Sequence, residues 1–180
     1  MEVEDLDHIS ESESLHREYL RCLKSKYSVL EKSIDGLKGR GINDIMRMRI
    51  PITQRKSCVE LYGLIRLHEI YFYSFTDKTE RISRRFAAVD RCFGSTSALA
   101  YELFCRARSE GEGFLCVYMC GDKIKIKRGS LASELISECE PVLCVDLWEH
   151  AYFAEYGFDR ERYLRSSLER LDYARLDPSE

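Results

Sequence analysis

Apolar side chains in the first third of the chain recur at every third or fourth position, which is the spacing of one face of an α-helix. This stripe predicts a helix of about six turns and consists of Leu15, Tyr19, Leu23, Tyr27, Leu30, Ile34 and Leu37. Three glycines then interrupt the stripe between residues 36 and 41. Residues 57–75 are apolar on nearly every side, which predicts a largely buried second helix. Two helices joined by a glycine-rich turn predict a helical hairpin.

The second half of the chain has a different pattern. Ser95 is a good N-cap for a helix that runs to about residue 108. Two β-type runs lie on either side of Gly121-Asp122, a dipeptide typical of a tight hairpin, and residues 123–127 alternate strictly between lysine and isoleucine. A third β-type run covers residues 141–148, and residues 152–171 have a helical pattern.

These elements predict an α+β fold in two domains. Residues 1–85 are expected to form the helical hairpin domain. Residues 86–180 are expected to form a second domain, in which a three-stranded antiparallel sheet packs with helices.

Composition narrows the class of protein without identifying it. The 180 residues are 44% hydrophobic and 33% charged, with a formal net charge of −3, so a folded domain is expected and a strong field for nucleic acid is not. No stretch approaches the ~20 apolar residues of a membrane span, and the acidic start MEVEDLDHISESES does not resemble a signal peptide. The eight cysteines include no C-x-x-C pair and indicate reduced, mostly buried thiols. We therefore expect a protein that is not secreted and is cytoplasmic or mitochondrial.

The stretch DLWEHAYFAEY, residues 146–156, contains the candidate chemistry. Asp146 and His150 lie four residues apart, a spacing that suits two metal ligands. The same stretch also reads as an ordinary capping box, with Asp146 as N-cap and Glu149 three residues later. His68 lies in the apolar second helix, where a hydrogen-bonded core histidine is the plain alternative to a ligand. Together, one carboxylate and two imidazoles suit Fe or Mn, and Glu149 could orient a ligating histidine.

The stretch closely resembles the D-x-W-E-H-A-Y signature of iron/manganese superoxide dismutases. Other segments resemble motifs of this family in the same order along the chain, namely HREYL (16–20), HEIYFY (68–73), DRCFGS (90–95) and GEGF (111–114). The resemblance covers nearly the whole chain. It implies a helical hairpin followed by an α/β domain, with one Mn or Fe ion between them and superoxide as the substrate.

The resemblance also implies roles for individual residues. His68, Asp146 and His150 match three of the four metal ligands of the family, and Tyr19 matches the tyrosine at the mouth of the substrate channel. The fourth ligand should lie eight residues before Tyr19, where this chain has Glu11. His8 and His16 are out of register with that position, so Glu11 is either a fourth ligand, as a carboxylate in place of an imidazole, or a sign that the first ligand has been lost.

Two further implications concern assembly and activity. Glu149 and Tyr152 match residues that contact the partner subunit in the family, so a homodimer is expected. Leu15 and Leu64 stand where polar groups near the metal or the channel would be expected. Leucine cannot make those hydrogen bonds, so two hypotheses stay open: a superoxide dismutase, or a catalytically weak or inactive protein of the same fold that serves as a structural or interaction subunit.

Overall fold

Helices dominate the computed structural model, which describes residues 11–75, 85–109 and 111–177. The α-helices within these ranges are α1 (Glu11–Ser33), α2 (Ile42–Arg47), α3 (Ile52–Tyr73), α4 (Ala87–Phe93), α5 (Thr96–Arg108), α6 (Ala132–Ile136), α7 (Phe153–Tyr156) and α8 (Arg160–Arg170). The β-strands are β1 (Phe114–Cys120), β2 (Lys123–Gly129) and β3 (Leu143–Asp146), and short 3-10 helices cover Glu149–Ala151 and Tyr173–Leu176. The predicted α+β class is confirmed, with a mostly helical N-terminal part followed by a three-stranded antiparallel sheet.

The first helix buries a face that the apolar stripe did not predict. Helix α1 turns Ser12, His16 and Leu23 towards the interior. Leu15, which belongs to the predicted stripe, is 50% exposed. The apolar stripe did not predict this face, because the inward-facing residues near the N-terminus of α1 are polar. The helix also ends at Ser33, and Ile34 and Leu37 are buried beyond its end.

Helix α3 is the central element of the N-terminal part. It begins directly after Pro51, whose fixed φ suits a helix start, and it buries Leu67 and His68 completely. Helix α1 packs along it, while its other side meets α6 and β3. Because these contacts pass across residue 85, the division into domains at that point stays a prediction.

The sheet has the strand order β2-β1-β3, with β1 antiparallel to both neighbours. The hairpin between β1 and β2 turns at Gly121, whose φ of +65° is readily adopted by glycine, and at Asp122. This confirms the predicted hairpin. Strand β3 pairs with the first part of β1, so that Phe114 lies opposite Asp146.

Strand β1 is buried on both faces, and its alternating side chains therefore enter two different cores. Leu115 and Val117 pack in a cluster with residues of α5 and α8. Phe114, Cys116 and Tyr118 pack on the opposite face, in a cluster with residues of α3 and α6. The sheet is thus the middle of three layers. Helix α3 packs on one face of the sheet and contacts β3.

Several local predictions can be compared with the structure. Ser95 accepts a hydrogen bond from the Ala98 amide at 3.1 Å, as predicted for the N-cap of α5. The expectation of mostly buried cysteines is wrong, since four are exposed: Cys22, Cys92, Cys105 and Cys139. The apolar segments in which they lie turn one side to solvent. No helix of the described residues is long and apolar enough to cross a membrane.

The contact between α3 and α6 depends on a glycine, and it generates a testable prediction. A Cβ atom at Gly63 would lie 2.8 Å from the backbone of Ala132 and of Ser133. Gly63→Ala is therefore expected to lower the free energy of unfolding by about 1–3 kcal/mol through overpacking, although helix propensity alone would favour alanine by about 1 kcal/mol. Urea denaturation would measure the change.

Gly129→Ala is the matched control for this prediction. A Cβ atom at Gly129 would meet only the Leu135 side chain, at 3.5 Å, which is an ordinary contact distance. This variant should unfold at the wild-type urea concentration or slightly above it. Equal stability of Gly63→Ala and the wild type would contradict the close packing of α3 on α6.

Candidate metal centre

The candidate site is built around the carboxylate of Asp146, the last residue of β3, which is completely buried. Its Oδ1 accepts a hydrogen bond from the Trp148 amide at 2.9 Å, and its main-chain oxygen accepts one from the Tyr163 hydroxyl at 2.7 Å. These two bonds hold the residue in place and leave Oδ2 for other partners. The alternative interpretation of this stretch, a capping box with Asp146 as N-cap, is wrong: Trp148, not Asp146, precedes the short 3-10 helix, and no side chain caps that helix.

His68 projects from α3 towards this carboxylate. Its Nδ1 lies 2.6 Å from the main-chain oxygen of Leu64, and a carbonyl can only accept, so Nδ1 carries the proton. The lone pair of Nε2 is then directed away from the helix. Nε2 lies 3.4 Å from Asp146 Oδ2 and 3.3 Å from His150 Nε2. A hydrogen bond of this kind fixes both the tautomer and the orientation of a ligating imidazole.

Two more histidines complete the cluster. Nε2 of His16, from α1, lies 3.1 Å from Asp146 Oδ2, and Nε2 of His150 lies 3.2 Å from the same oxygen. His16 and His68 are fully buried, whereas the His150 side chain is 29% exposed. The cluster is therefore buried except beside His150.

The spacing of the four side chains fits a single first-row metal ion. One donor atom from each of His16, His68, Asp146 and His150 lies within 4.8 Å of all the others. Bonds of about 2.1 Å to a common ion place neighbouring donors roughly 3–3.5 Å apart, which matches the distances around Asp146 Oδ2. Three imidazole nitrogens and one carboxylate oxygen are donors suited to Fe or Mn.

The electrostatics of the cluster also suit metal binding. Burial alone would raise the pKa of Asp146, but hydrogen bonds from His150 and His16 outweigh it and hold that pKa below its ordinary value. Burial lowers the pKa of His68 to about 4, against a smaller opposing effect of Asp146. An ionised carboxylate and a neutral imidazole are the forms that bind metal. In addition, Nδ1 of His16 is buried without a hydrogen-bond partner among the described residues.

The structure places His16, and not Glu11, beside the other three side chains. Glu11 is exposed in the first turn of α1. Residues five apart on a helix point in clearly different directions, so the two cannot share one inward face. The segment HREYL contains His16, so the sequence did carry a signal for this ligand. The expected spacing of eight residues before Tyr19 points instead to Glu11. His8, the other histidine considered, lies outside the described residues.

A cavity of about 280 Å³ lies over the open side of the cluster. Its lining residues are Tyr19, Glu60, Leu64, His68, Ser130, Trp148 and His150. The Tyr19 ring lies 4.4 Å from the His150 ring between centroids. Burial, and secondarily the Asp146 charge, raises the pKa of Tyr19, so its hydroxyl keeps its proton at neutral pH. Leu64 contributes an apolar wall, as its position in the sequence suggested.

The two residues predicted at a dimer interface have different environments. Glu149 is exposed at the start of the 3-10 helix beside the site. Tyr152 is only 7% exposed, and its ring stacks on Tyr163 at 5.0 Å. Glu149 is thus available to a second chain, whereas the Tyr152 side chain is largely used within its own chain.

Supporting residues around the cluster were not predicted from the sequence. The Ser74 hydroxyl accepts from the Cys144 amide at 2.8 Å and donates to the Ile70 carbonyl at 2.7 Å, which ties the end of α3 to β3. Tyr163 supports Asp146 from α8. Serine and tyrosine occur at many surface positions, so nothing in the sequence marked these two.

The chain is similar to known proteins over part of its length. Residues 82–178 match the family described as iron/manganese superoxide dismutases, C-terminal domain, which is more than half of the chain. An iron superoxide dismutase of Cupriavidus metallidurans is 26% identical over 113 residues, covering 61% of this chain and 57% of that protein. A chloroplastic iron superoxide dismutase of Arabidopsis thaliana is 26% identical over 87 residues, 46% of this chain and 33% of that protein. A manganese superoxide dismutase of Escherichia coli O157:H7 is 32% identical over 87 residues, 44% of this chain and 42% of that protein. The chain therefore spans less than two thirds of the length of these relatives.

The placement of His16 generates a prediction about metal affinity. His16→Ala removes a buried donor atom that lies 3.1 Å from Asp146 Oδ2. The affinity for Mn²⁺ should therefore fall by at least about 10–100-fold, which is the loss typical when a residue that only orients a ligand is removed. Competition with a chromophoric chelator would measure it. Glu11→Gln is the control and should keep wild-type affinity. The opposite result, with Glu11→Gln weakened and His16→Ala unchanged, would return the fourth ligand to Glu11.

Proposed function

Because the chain belongs to the iron/manganese superoxide dismutase family, we propose that it binds one Mn or Fe ion through His16, His68, Asp146 and His150 and dismutes superoxide there. The observation that carries this proposal is the convergence of four suitable donor atoms within 4.8 Å of one another. In the overall reaction, two superoxide ions and two protons give dioxygen and hydrogen peroxide. The bound ion would supply the redox chemistry by alternating between two oxidation states.

The side chains around the ion have separate tasks in this proposal. Asp146 contributes negative charge that partly neutralises the cation, and the Trp148 amide keeps its second oxygen occupied. The Leu64 carbonyl keeps the Nε2 lone pair of His68 directed at the centre. Preorganised ligands of this kind need little rearrangement when a metal binds.

The cavity lined by Tyr19, Leu64 and Trp148, which we call the substrate cavity, would admit superoxide and supply protons. Its volume of about 280 Å³ suits a diatomic ion with a few water molecules. The Tyr19 hydroxyl is protonated and lies at the cavity wall, so it can hold a proton close to the reacting oxygen. Leu64 and Trp148 limit the access of bulk water.

A second candidate function rests on Leu64. This side chain lines the substrate cavity where a polar group would otherwise contact solvent near the ion. Without that hydrogen bond, the protein could keep the fold and the metal while dismuting slowly, and serve instead as a structural or interaction subunit. We rank this second because four suitable donor atoms converge in one cluster.

We also propose a homodimer formed by the face beside the open side of the site. This face contains exposed apolar side chains, with Leu15 at 50% and Phe153 at 47% exposure, and it includes Glu149 and His150. A two-fold axis here would bring Glu149 of each chain towards His150 of the other, so the contact would be made twice. Tyr152 would contribute less, because its ring packs within its own chain.

The activity prediction separates the two candidate functions. Protein loaded with one Mn or Fe ion per chain should accelerate superoxide decay in a stopped-flow measurement, after loosely bound metal is removed by chelation. His68→Ala, which lacks a buried donor, should lose this acceleration. If superoxide decays no faster with loaded wild-type protein than with His68→Ala, the dismutase proposal is overturned and the interaction subunit is favoured.

The assembly prediction concerns Glu149. Glu149→Ala should shift the monomer–dimer equilibrium towards monomer, since a charged contact made twice is lost, and sedimentation velocity across a wide concentration range would show it. Glu155→Ala, an exposed residue of α7 outside this face, is the control and should leave the equilibrium unchanged. A wild-type protein that is monomeric at every concentration would contradict the proposed dimer.

A further inference from the structure

The charges that line the substrate cavity are unusual for a site that receives an anion. Among the described residues of its wall, no lysine or arginine is present. Apart from the histidine ligands, the ionisable side chains are the phenol of Tyr19 and the carboxylate of Glu60. The tyrosine is protonated at neutral pH, so the carboxylate is the fixed charge that an incoming anion meets.

Glu60 is held in position by backbone hydrogen bonds from another element. It lies on α3 and accepts from the Ala132 amide at 3.0 Å and from the Ser133 amide at 3.3 Å, one with each carboxylate oxygen. These amides begin α6, whose own preceding residue, Leu131, provides no side-chain cap. The contact of Gly63 with the same backbone keeps the two helices close. The carboxylate therefore cannot swing out to solvent without uncapping α6.

The fixed negative charge of Glu60 opposes the entry of anions into the cavity. Glu60 is partly buried, so salt and water screen its charge less than they screen a surface charge. The two amide dipoles offset part of the charge but do not neutralise it. A monoanion in the substrate cavity is therefore repelled by Glu60, and this repulsion offsets part of its attraction by the metal.

We propose that Glu60 sets the anion affinity of the site by weakening the binding of monoanions, superoxide among them, in the substrate cavity. The inference rests on the proposed function, because it concerns ligands of the loaded metal centre. Its role as a cap of α6 is a separate property. Loss of a cap would change stability, whereas loss of the negative charge would change anion affinity.

Azide is a suitable probe, because it is a small monoanion like superoxide. Its binding is measured from the absorption spectrum, without any turnover. Protein loaded with Fe³⁺ would be titrated with azide at fixed ionic strength. Glu60→Gln keeps an oxygen that can accept from an α6 amide but removes the charge, so the azide Kd should fall about three- to tenfold. Glu134→Gln is the matched control: it removes the same charge from the exposed first turn of α6, outside the cavity wall, and should leave Kd unchanged.

Each outcome of the test is distinct. If the wild-type protein takes up no metal, the proposed function fails. If loaded Glu60→Gln binds azide with the wild-type Kd, the inference fails while the proposed function stands. Should Glu60→Gln not fold, Ser130→Lys provides a second test, because it adds a cation at the exposed edge of the cavity and leaves the α6 cap intact. An unchanged azide Kd in that variant would equally overturn the proposed control of anion affinity by charge.

Discussion

The buried carboxylate of Asp146 is the constraint on which the rest of the structure depends. A charge without partners in the interior would be very unfavourable, and here one oxygen receives a backbone amide while the other faces three imidazoles. Each of those imidazoles comes from a different element, so α1, α3 and the 3-10 helix after β3 must all meet at one point. The positions of the helices around the sheet follow from this requirement as much as from apolar packing.

The apolar layers make that meeting point rigid. Strand β1 is buried on both faces, and β3 pairs along its first residues, so the end of β3 is fixed relative to α3 on one face and α8 on the other. Tyr163 reaches from α8 to the Asp146 main chain. An ion bound at this point would therefore be held by elements that already have fixed positions, which favours tight binding over induced rearrangement.

The sequence predicted the fold class, the hairpin at Gly121 and three members of the candidate site, His68, Asp146 and His150, because each of these has a local or motif-level signal. His16 was missed for a physical reason. Helix periodicity was judged from apolar residues, and the inward face at the start of α1 is polar, with Ser12 and His16 buried and Leu15 exposed. Polar residues face inwards where the interior offers a specific partner, and that partner, Asp146, lies 130 residues further along the chain. Helix periodicity could not have indicated it, and only the HREYL motif pointed to His16.

The same separation has a consequence for the order of folding. The contact between His16 and Asp146 closes a loop of 130 residues, and long loops are formed late because their closure is entropically unfavourable before other contacts exist. The Ser74 hydroxyl joins α3 to β3 through the Cys144 amide, a contact with the smaller sequence separation of 70 residues, so we expect His68 and Asp146 to meet before His16 joins them. Helix α1 would then dock last and carry His16 to a position that is already prepared. A bound ion would stabilise this last contact, because its ligands would come both from α1, the first described helix, and from the end of β3, the last strand.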